Sequence, residues 1–520
     1  MRAHAYHRRY ESGRTIASGR PSLYTRVVTS LRQPRVVIIG AGIAGISAAH
    51  TFRQAGLSDV VICEKGTDVG GVWHWNRYPG LTCDVPSQLY QFGFAPKADW
   101  SHVWASGEEI RLYHRDVVER CGLDGWLRLG TEVTDAVYDE ESATWTLTTA
   151  AGETLLADFV VCATGVLHHP HVPDIDGLDS FAGPVVHTAR WDPELETGGS
   201  RVAVIGSGST GVQIVSALQP EASRVLHFTR SPQWILWAPM GVRQPELFTA
   251  LLRRMPGLQR GLYAAALWAS GILADVVLKP TWRRRAVQAY ARSSLRRQVR
   301  DPRLREQLTP DYEPLCKRQV VSSTYYRAIT APNAELVTGP IIEVTPTGIR
   351  TGDGVHHEVD VIVLATGFRA HEYMRPMRIT GRDGLSLDEA WATGPRAYRM
   401  TAIPGFPNLF TVLGPNSPTG SISLQYSAEL TSRYVAQWIE RWIRGQFDAV
   451  EVTDQATEEF AGAVREAMGP TVWNTGCTSW YQTAGGEIDL WPFDRKRMEE
   501  MLNRPDGRDF QMMRVDSGGP

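Results

Sequence analysis

Residues 181–211 read FAGPVVHTARWDPELETGGSRVAVIGSGSTG. A twelve-residue run, 181–192, leads to a strand-like segment, RVAVI at 201–205, which ends in the glycine loop GSGSTG at 206–211. A strand that runs into Gly-x-Gly-x-x-Gly at the start of a helix suits a dinucleotide. The first glycine makes the tight turn, the second lets backbone approach pyrophosphate, and the third lets the helix pack closely. One such loop is weak evidence, but this is the second of two: RVVIIGAGIAG at 35–45 repeats RVAVIGSGSTG at 201–211. The loop glycines are Gly40, Gly42 and Gly45 in the first copy and Gly206, Gly208 and Gly211 in the second.

Aligning the copies separates their ligands. Glu64 stands 19 residues after Gly45, at the end of the strand-like run DVVIC, where a carboxylate accepts hydrogen bonds from ribose hydroxyls. Arg230, followed by Ser231, stands 19 residues after Gly211. A carboxylate repels a 2′-phosphate, whereas a guanidinium pairs with it bidentately. The first site therefore suits a nucleotide with a free ribose, such as FAD, and the second suits NADPH in preference to NADH.

Both copies close alike. ADFVVCATG at 157–165 matches VDVIVLATG at 359–367, and a short β-meander precedes each, at about 128–156 and 336–359. The spacing from first loop glycine to closing alanine is 123 residues in one copy (Gly40 to Ala163) and 159 in the other (Gly206 to Ala365). The surplus falls at about 240–315, rich in Ala, Leu and Arg at helical spacing, and reads as a helical insertion. The nine arginines between Arg283 and Arg305 read as solvated helix faces rather than a nucleic-acid patch. A long helix is expected at about 429–442, in a C-terminal part that rejoins the first domain. The expected fold is α/β, with two Rossmann-like domains and the second inserted into a discontinuous first. FAD binding falls to 34–167 and 369–520, NADP binding to 181–239 and 316–368, and the insertion to 240–315.

A net charge of −2 over 520 residues gives no case for nucleic acid. Six scattered cysteines form no Cys-x-x-Cys and no zinc spacing, and are expected as reduced thiols in a cytoplasm. The missing redox pair argues against a disulfide reductase. His168, His169 and His171 lack a completing carboxylate or cysteine, so no metal is expected. Residues 1–33, with seven arginines and one acid, read as a basic arm rather than a signal peptide. The apolar run 262–278 is shorter than the ~20 residues a spanning helix needs. It reads as a buried helix, or at most a surface-associated one, with no stable membrane insertion.

Three motifs resemble the Baeyer–Villiger monooxygenases, FAD- and NADPH-dependent flavoproteins that insert one atom of O2 beside a ketone carbonyl. Phe181, Gly183, His187, Trp191 and Asp192 match the family fingerprint Phe-x-Gly-x-x-x-His-x-x-x-Trp followed by Pro or Asp. GGVWHWNRYPGLTCD at 70–84 matches its Gly-Gly-x-Trp, Tyr-Pro-Gly and Asp segment, and Lys317-Arg318 its Lys-Arg pair. The resemblance covers about 34–480.

The resemblance implies an ester or lactone product formed through a C4a-peroxyflavin. It implies Arg318 as the charge that keeps the peroxide anionic and Asp84, near the flavin, as its partner. Gly71, Val72, Trp73, Tyr90 and Val133 would complete the FAD site. Ser209, Thr210 and Gln213 would join the second loop on NADP, with Lys317 supporting the 2′-phosphate beside Arg230 and Trp480 contacting NADP from a mobile loop. His187 is expected to orient the domains rather than move protons. Oxygenation of a sulfide or amine is the alternative activity. After Tyr481 the chain has QTAGGE where many members have Gly-Ala-Asn, so the resemblance does not fix the ketone.

Overall fold

The computed structural model describes residues 32–418 and 422–515, so the arm expected at 1–33 lies almost wholly outside the described residues. Two five-stranded parallel sheets form the frame. The first takes β1 (Val36–Ile39), β2 (Val60–Glu64), β3 (Leu127–Leu129), β7 (Phe159–Cys162) and β19 (Leu409–Thr411), in the order β19-β7-β1-β2-β3. The second takes β8 (Val185–His187), β9 (Arg201–Ile205), β10 (Arg224–Phe228), β13 (Ala334–Val337) and β17 (Val361–Leu364), in the order β8-β17-β9-β10-β13. The orders superimpose strand for strand. In each sheet the outer strand beside the closing strand comes from outside the repeat: β19 returns from the C-terminal part, and β8 belongs to the fingerprint run. The central strands β1, β7 and β17 are buried throughout, as a sheet covered on both faces requires.

The repeats also share their clasps. Arg35 binds Asp158 through its backbone N–H at 2.7 Å and its guanidinium at 2.7 Å, and Arg201 binds Asp360 likewise at 2.8 and 2.7 Å. Gly40 and Gly206 have φ of +104° and +121°, and a Cβ there would strike the carbonyl oxygen of Ala163 or Ala365 at 2.6 or 2.2 Å. The Ala-Thr-Gly turn thus seats against the first loop glycine in both domains. A Cβ on Gly45 or Gly211 would lie 1.9 Å from the carbonyl of its own loop's first glycine. Gly211→Ala is therefore expected to destabilise the second domain by at least about 1–3 kcal/mol. The check is a weakened NADPH affinity by titration while bound FAD is retained.

Small antiparallel sheets follow each βαβ half. The first holds β4 (Val133–Asp139), β5 (Thr144–Thr149) and β6 (Thr154–Ala157); the second holds β14 (Ile341–Thr345), β15 (Gly348–Thr351) and β16 (His356–Glu358). A late strand, β18 (Arg378–Thr380), adds to β4. The chain crosses between domains twice, and the crossings pair: Pro170 bridges Phe368, His171 N–H donates to Gly367 O, and Arg369 N–H donates to His169 O. His168 and His169 use their ring nitrogens on the carbonyls of Tyr373 and Arg375. Helices α1 (Ile43–Gln54) and α2 (Ser209–Leu218) follow the glycine loops, and the insertion holds α3 (Glu246–Arg254), α4 (Pro256–Leu278) and α5 (Trp282–Gln298). A final long helix, α6 (Leu424–Ile443), packs on α1, where Ser432 Oγ donates to Ser47 Oγ at 3.3 Å. The neck of the insertion is closed by β11 (Ile235–Leu236) and β12 (Val320–Val321), paired in parallel.

Two expectations change. The cysteines are not all reduced thiols: Cys316 and Cys477 form a disulfide, while Cys63, Cys83, Cys121 and Cys162 are free. The partners are 161 residues apart, so local spacing could not reveal them. Cys477→Ser is expected to lower stability by about 2–4 kcal/mol. Denaturant midpoints should move for the wild type, but not the variant, on adding reductant. The apolar run is part of a longer helix: α4 has 23 residues and is long and apolar enough to span by length and composition, and with only 28% of its apolar window buried it is the surface-associated helix rather than the buried one.

Candidate active site

The neck of the insertion places Lys317 and Arg318 immediately before β12, and the segment after β2 brings Asp84 to meet them. Arg318 Nε donates to Asp84 Oδ2 at 3.1 Å, and Nη2 lies 2.9 Å from both carboxylate oxygens. The Arg318 side chain keeps 40% of its surface accessible against 18% for Asp84, so the guanidinium keeps an open side while the carboxylate holds the other. The negative charge of Asp84 raises the arginine's proton affinity further above its ordinary value, so the cation is permanent.

Behind this pair is Tyr481, whose hydroxyl is coupled electrostatically to Arg318 and Asp84, and whose pKa burial pushes up to about 12. Trp480, beside it, is the exposed member, with ring centroids 4.6 Å apart. The Cys316–Cys477 bond ties the turn before Lys317 to the loop before Trp480. Sequence reading named Trp480 and gave Tyr481 no role; nothing in one sequence shows that the tyrosine faces Arg318.

On the second domain, Lys317 Nζ donates to Ser231 Oγ at 3.3 Å and lies 4.3 Å above the Tyr312 ring. Burial, and to a lesser extent the nearby positive charge of Arg230, lowers the lysine's pKa. Arg230 is exposed and has no carboxylate partner among the described residues. Lys317, 86 residues after Ser231, is thus brought into one cationic corner with Arg230 and Ser231. Beneath the second loop, His227 presents Nε2 to Gly206 O and Nδ1 to Tyr325 Oη, both at 2.9 Å. Burial lowers its pKa from 6.5 to about 4. The unfolded chain therefore takes up a proton below pH 6.5 that the folded chain refuses, and stability present above 6.5 is lost as pH falls towards 4. Denaturant midpoints measured between pH 7 and 4.5 should show a shallower slope for His227→Gln than for wild type.

On the first domain, Glu64 is buried; one oxygen accepts from Ala41 N–H at 2.8 Å and the other from Gly66 N–H at 2.7 Å. Each carboxylate oxygen keeps a further lone pair for a hydroxyl. Gly71 touches the glycine loop, its Cβ position lying 3.0 Å from the Gly42 Cα. Val72 and Trp73 begin the short helix after it, Trp73 Nε1 donates to Tyr90 Oη at 3.0 Å, and Val133 is buried at the start of β4. Neither Gly42 nor Gly208, at the N-caps of α1 and α2, has a side-chain cap. The first-turn N–H groups of both helices are left for an anion.

Between the loops, Tyr78 Oη donates to Gln213 Oε1 at 2.9 Å and reaches Thr210 Oγ1 at 3.5 Å, and Gln213 Nε2 donates to Thr82 O at 2.8 Å. Gln213 and Thr210 therefore join the Tyr-Pro-Gly segment of the first domain to the second; Ser209 opens α2 beside them. The fingerprint run does structural work. Phe181 and Trp191 fill separate cores of the second domain, Gly183 would strike Asp360 O at 2.3 Å if it carried a Cβ, and Asp192 caps Glu194 N–H. His187 accepts from Ala189 N–H through Nδ1 at 3.1 Å, and burial lowers its pKa to about 4.

Two sheets of matching order, each with an uncapped glycine-loop helix, and an arginine–carboxylate pair that joins their domains define a two-dinucleotide oxidoreductase. Residues 37–239 match the pyridine nucleotide-disulphide oxidoreductase family model. The chain is 47% identical over 483 residues to an uncharacterised monooxygenase of Mycobacterium tuberculosis, covering 93% of this chain and 97% of that one. It is 38% identical to a Baeyer–Villiger monooxygenase of Streptomyces coelicolor, covering 92% and 93%. A solved steroid monooxygenase bound to NADP shares the fold at a TM-score of 0.82 and 32% identity, over 93% of this chain and 100% of that one. The chain belongs to the Baeyer–Villiger monooxygenase family.

Proposed function

We propose that the protein is an FAD- and NADPH-dependent monooxygenase that takes a small-molecule ketone and O2 and inserts one oxygen atom beside the carbonyl, giving an ester or lactone. The observation that carries the reading is the bidentate Arg318–Asp84 pair, which joins the two dinucleotide folds and leaves the guanidinium partly open. Residues 34–167 and 369–520 would bind FAD, 181–239 and 316–368 NADP, with 240–315 inserted between. The fit rests on the uncapped N–H groups behind Gly42 and Gly208 and on the free lone pairs of Glu64. The bound flavin, reduced by NADPH, supplies the activated oxygen.

The chain's own groups supply the rest. The loop Gly40, Gly42, Gly45 would hold the FAD pyrophosphate and Glu64 its ribose, with Gly71, Val72, Trp73, Tyr90 and Val133 around them. The loop Gly206, Gly208, Gly211 would hold the NADP pyrophosphate. Arg230, Ser231 and Lys317 would grip its 2′-phosphate, and Trp480 would cover its substrate side. Arg318 presents a fixed cation where negative charge gathers on oxygen during attack on the ketone. A preoriented charge in a partly desolvated site stabilises that change without reorganisation. Asp84 fixes the guanidinium plane, and Tyr481 closes the pocket behind it.

The test is incubation with NADPH, O2 and a panel of cyclic, linear and aromatic ketones, followed by mass spectrometry. Esters or lactones in proportion to NADPH consumed would support the proposal. Oxygenation of sulfides or amines, with every ketone untouched, would replace it with the heteroatom activity.

A further inference from the structure

Helix α4 is too exposed for its composition. Its most apolar 18-residue stretch has a mean hydropathy of 1.7, yet only 28% of that stretch is buried. One stripe, Leu258, Gly261, Ala265, Ala269 and Leu273, advances by three or four residues and faces outward throughout, with Trp268 beside it. Trp268 is 65% exposed and Leu273 63%; on the flanking helices Leu247 is 84% exposed and Trp282 69%. Large apolar side chains gathered in one insertion mark an interaction surface.

The charge around that surface selects its partner. Residues 246–300 hold eleven Lys and Arg against Glu246 and Asp275; Arg253 and Arg292 pair with Asp99 and Glu313 and Arg284 is buried, while Arg254, Arg260, Arg285, Arg296, Arg297 and Arg300 are exposed with no carboxylate partner among the described residues. Arg254 and Arg260 flank Leu258, Arg285 follows Trp282, and none of the three has a carboxylate partner among the described residues. A second copy docked by the same face would set these unpaired arginines against their own counterparts. An anionic lipid surface takes both features: its headgroups attract the arginines, and its acyl boundary receives the tryptophans and leucines.

The helix does not leave the protein to span a bilayer. Its other face is buried through Leu267 and Ala274, and its last turn is buried on every side through Val276, Val277 and Leu278. Its C-terminal end is pinned by Arg284, whose guanidinium donates to the carbonyls of Val276, Val277 and Pro470. Asp275 pairs with Lys279 at 2.9 Å.

We infer that the helical insertion docks this protein reversibly onto anionic membrane surfaces, with α4 lying in the interface. Its apolar face enters about 5–10 Å, to the headgroup–acyl boundary. The buried end of α4 packs in the same core as Leu315, Cys316 and Tyr481, and Tyr481 in turn faces Arg318. Docking therefore holds Arg318 close to a phase in which apolar ketones concentrate.

The holoenzyme should be floated with vesicles of phosphatidylcholine alone and of phosphatidylcholine with phosphatidylglycerol. The expected result is flotation with the anionic vesicles only, reversed by high salt. It should fall at least tenfold in Trp268→Ser/Leu273→Ser and in Arg254→Glu/Arg260→Glu, both retaining FAD and basal NADPH oxidation. Absence of flotation, or flotation unchanged in both variants, would overturn the inference. So would light scattering that shows a dimer lost in Trp268→Ser/Leu273→Ser without any vesicle binding.

Discussion

Arg318→Ala is expected to fold, bind FAD and consume NADPH, while ester formation falls by roughly 10²–10³-fold, the usual loss when one preorganised stabilising group is removed. The dissociation of the two activities follows from where Arg318 lies. Its guanidinium is spent on Asp84, not on either glycine loop, and the bonds that hold the loops do not involve it. Arg318→Lys should recover little, because an ammonium cannot reproduce the two-pronged contact with Asp84. Asp84→Ala should resemble Arg318→Ala in product yield, since it leaves the guanidinium charged and unoriented. Product and NADPH measured in the same reaction check all three; ester at near wild-type yield in Arg318→Ala would remove it from the mechanism.

Arg230→Ala is expected to raise the KM for NADPH roughly ten- to a hundredfold and leave NADH almost untouched, since a hydrogen bond to a charged group contributes about 1.5–3 kcal/mol. Arg230 is exposed and meets no carboxylate among the described residues, so its loss should leave folding intact. Lys317 remains, 3.3 Å from Ser231, and keeps part of the 2′-phosphate preference. Steady-state kinetics with both nucleotides decide it. Equal losses with NADPH and NADH would mean that Arg230 holds the shared part of the cofactor.

The sequence made the repeat legible because its signals are local. Glycines at fixed offsets, a buried strand before them and Ala-Thr-Gly after them are read within a dozen residues. The Glu64–Arg230 comparison follows from the repeat alone, but equal spacing is not equal position: Cys63 and Phe228 receive the same hydrogen bond from the first loop glycine, so Glu64 matches Thr229 and Arg230 lies one residue beyond the strand-end position. The Arg318–Asp84 pair was reached only through family resemblance, since 234 residues separate its members. Three features stayed hidden for the same physical reason: each is a long-range contact between residues that are ordinary on their own. Cys316 and Cys477 look like isolated thiols until the insertion folds back. Tyr481 reads as a neighbour of Trp480 until it meets Arg318. His227 is one apolar-strand histidine among several until Gly206 and Tyr325 close on its two nitrogens. The apolar helix was ambiguous in another way: hydropathy reports what a face would favour, not which surface covers it.

The central claim is tested most directly by product analysis after turnover under heavy-isotope O2, with NADPH and the ketone panel. The account predicts an ester or lactone carrying one labelled oxygen atom, with one NADPH consumed per product, and loss of that product in Arg318→Ala. Hydrogen peroxide in place of organic product, or label found only on sulfides or amines, would contradict it.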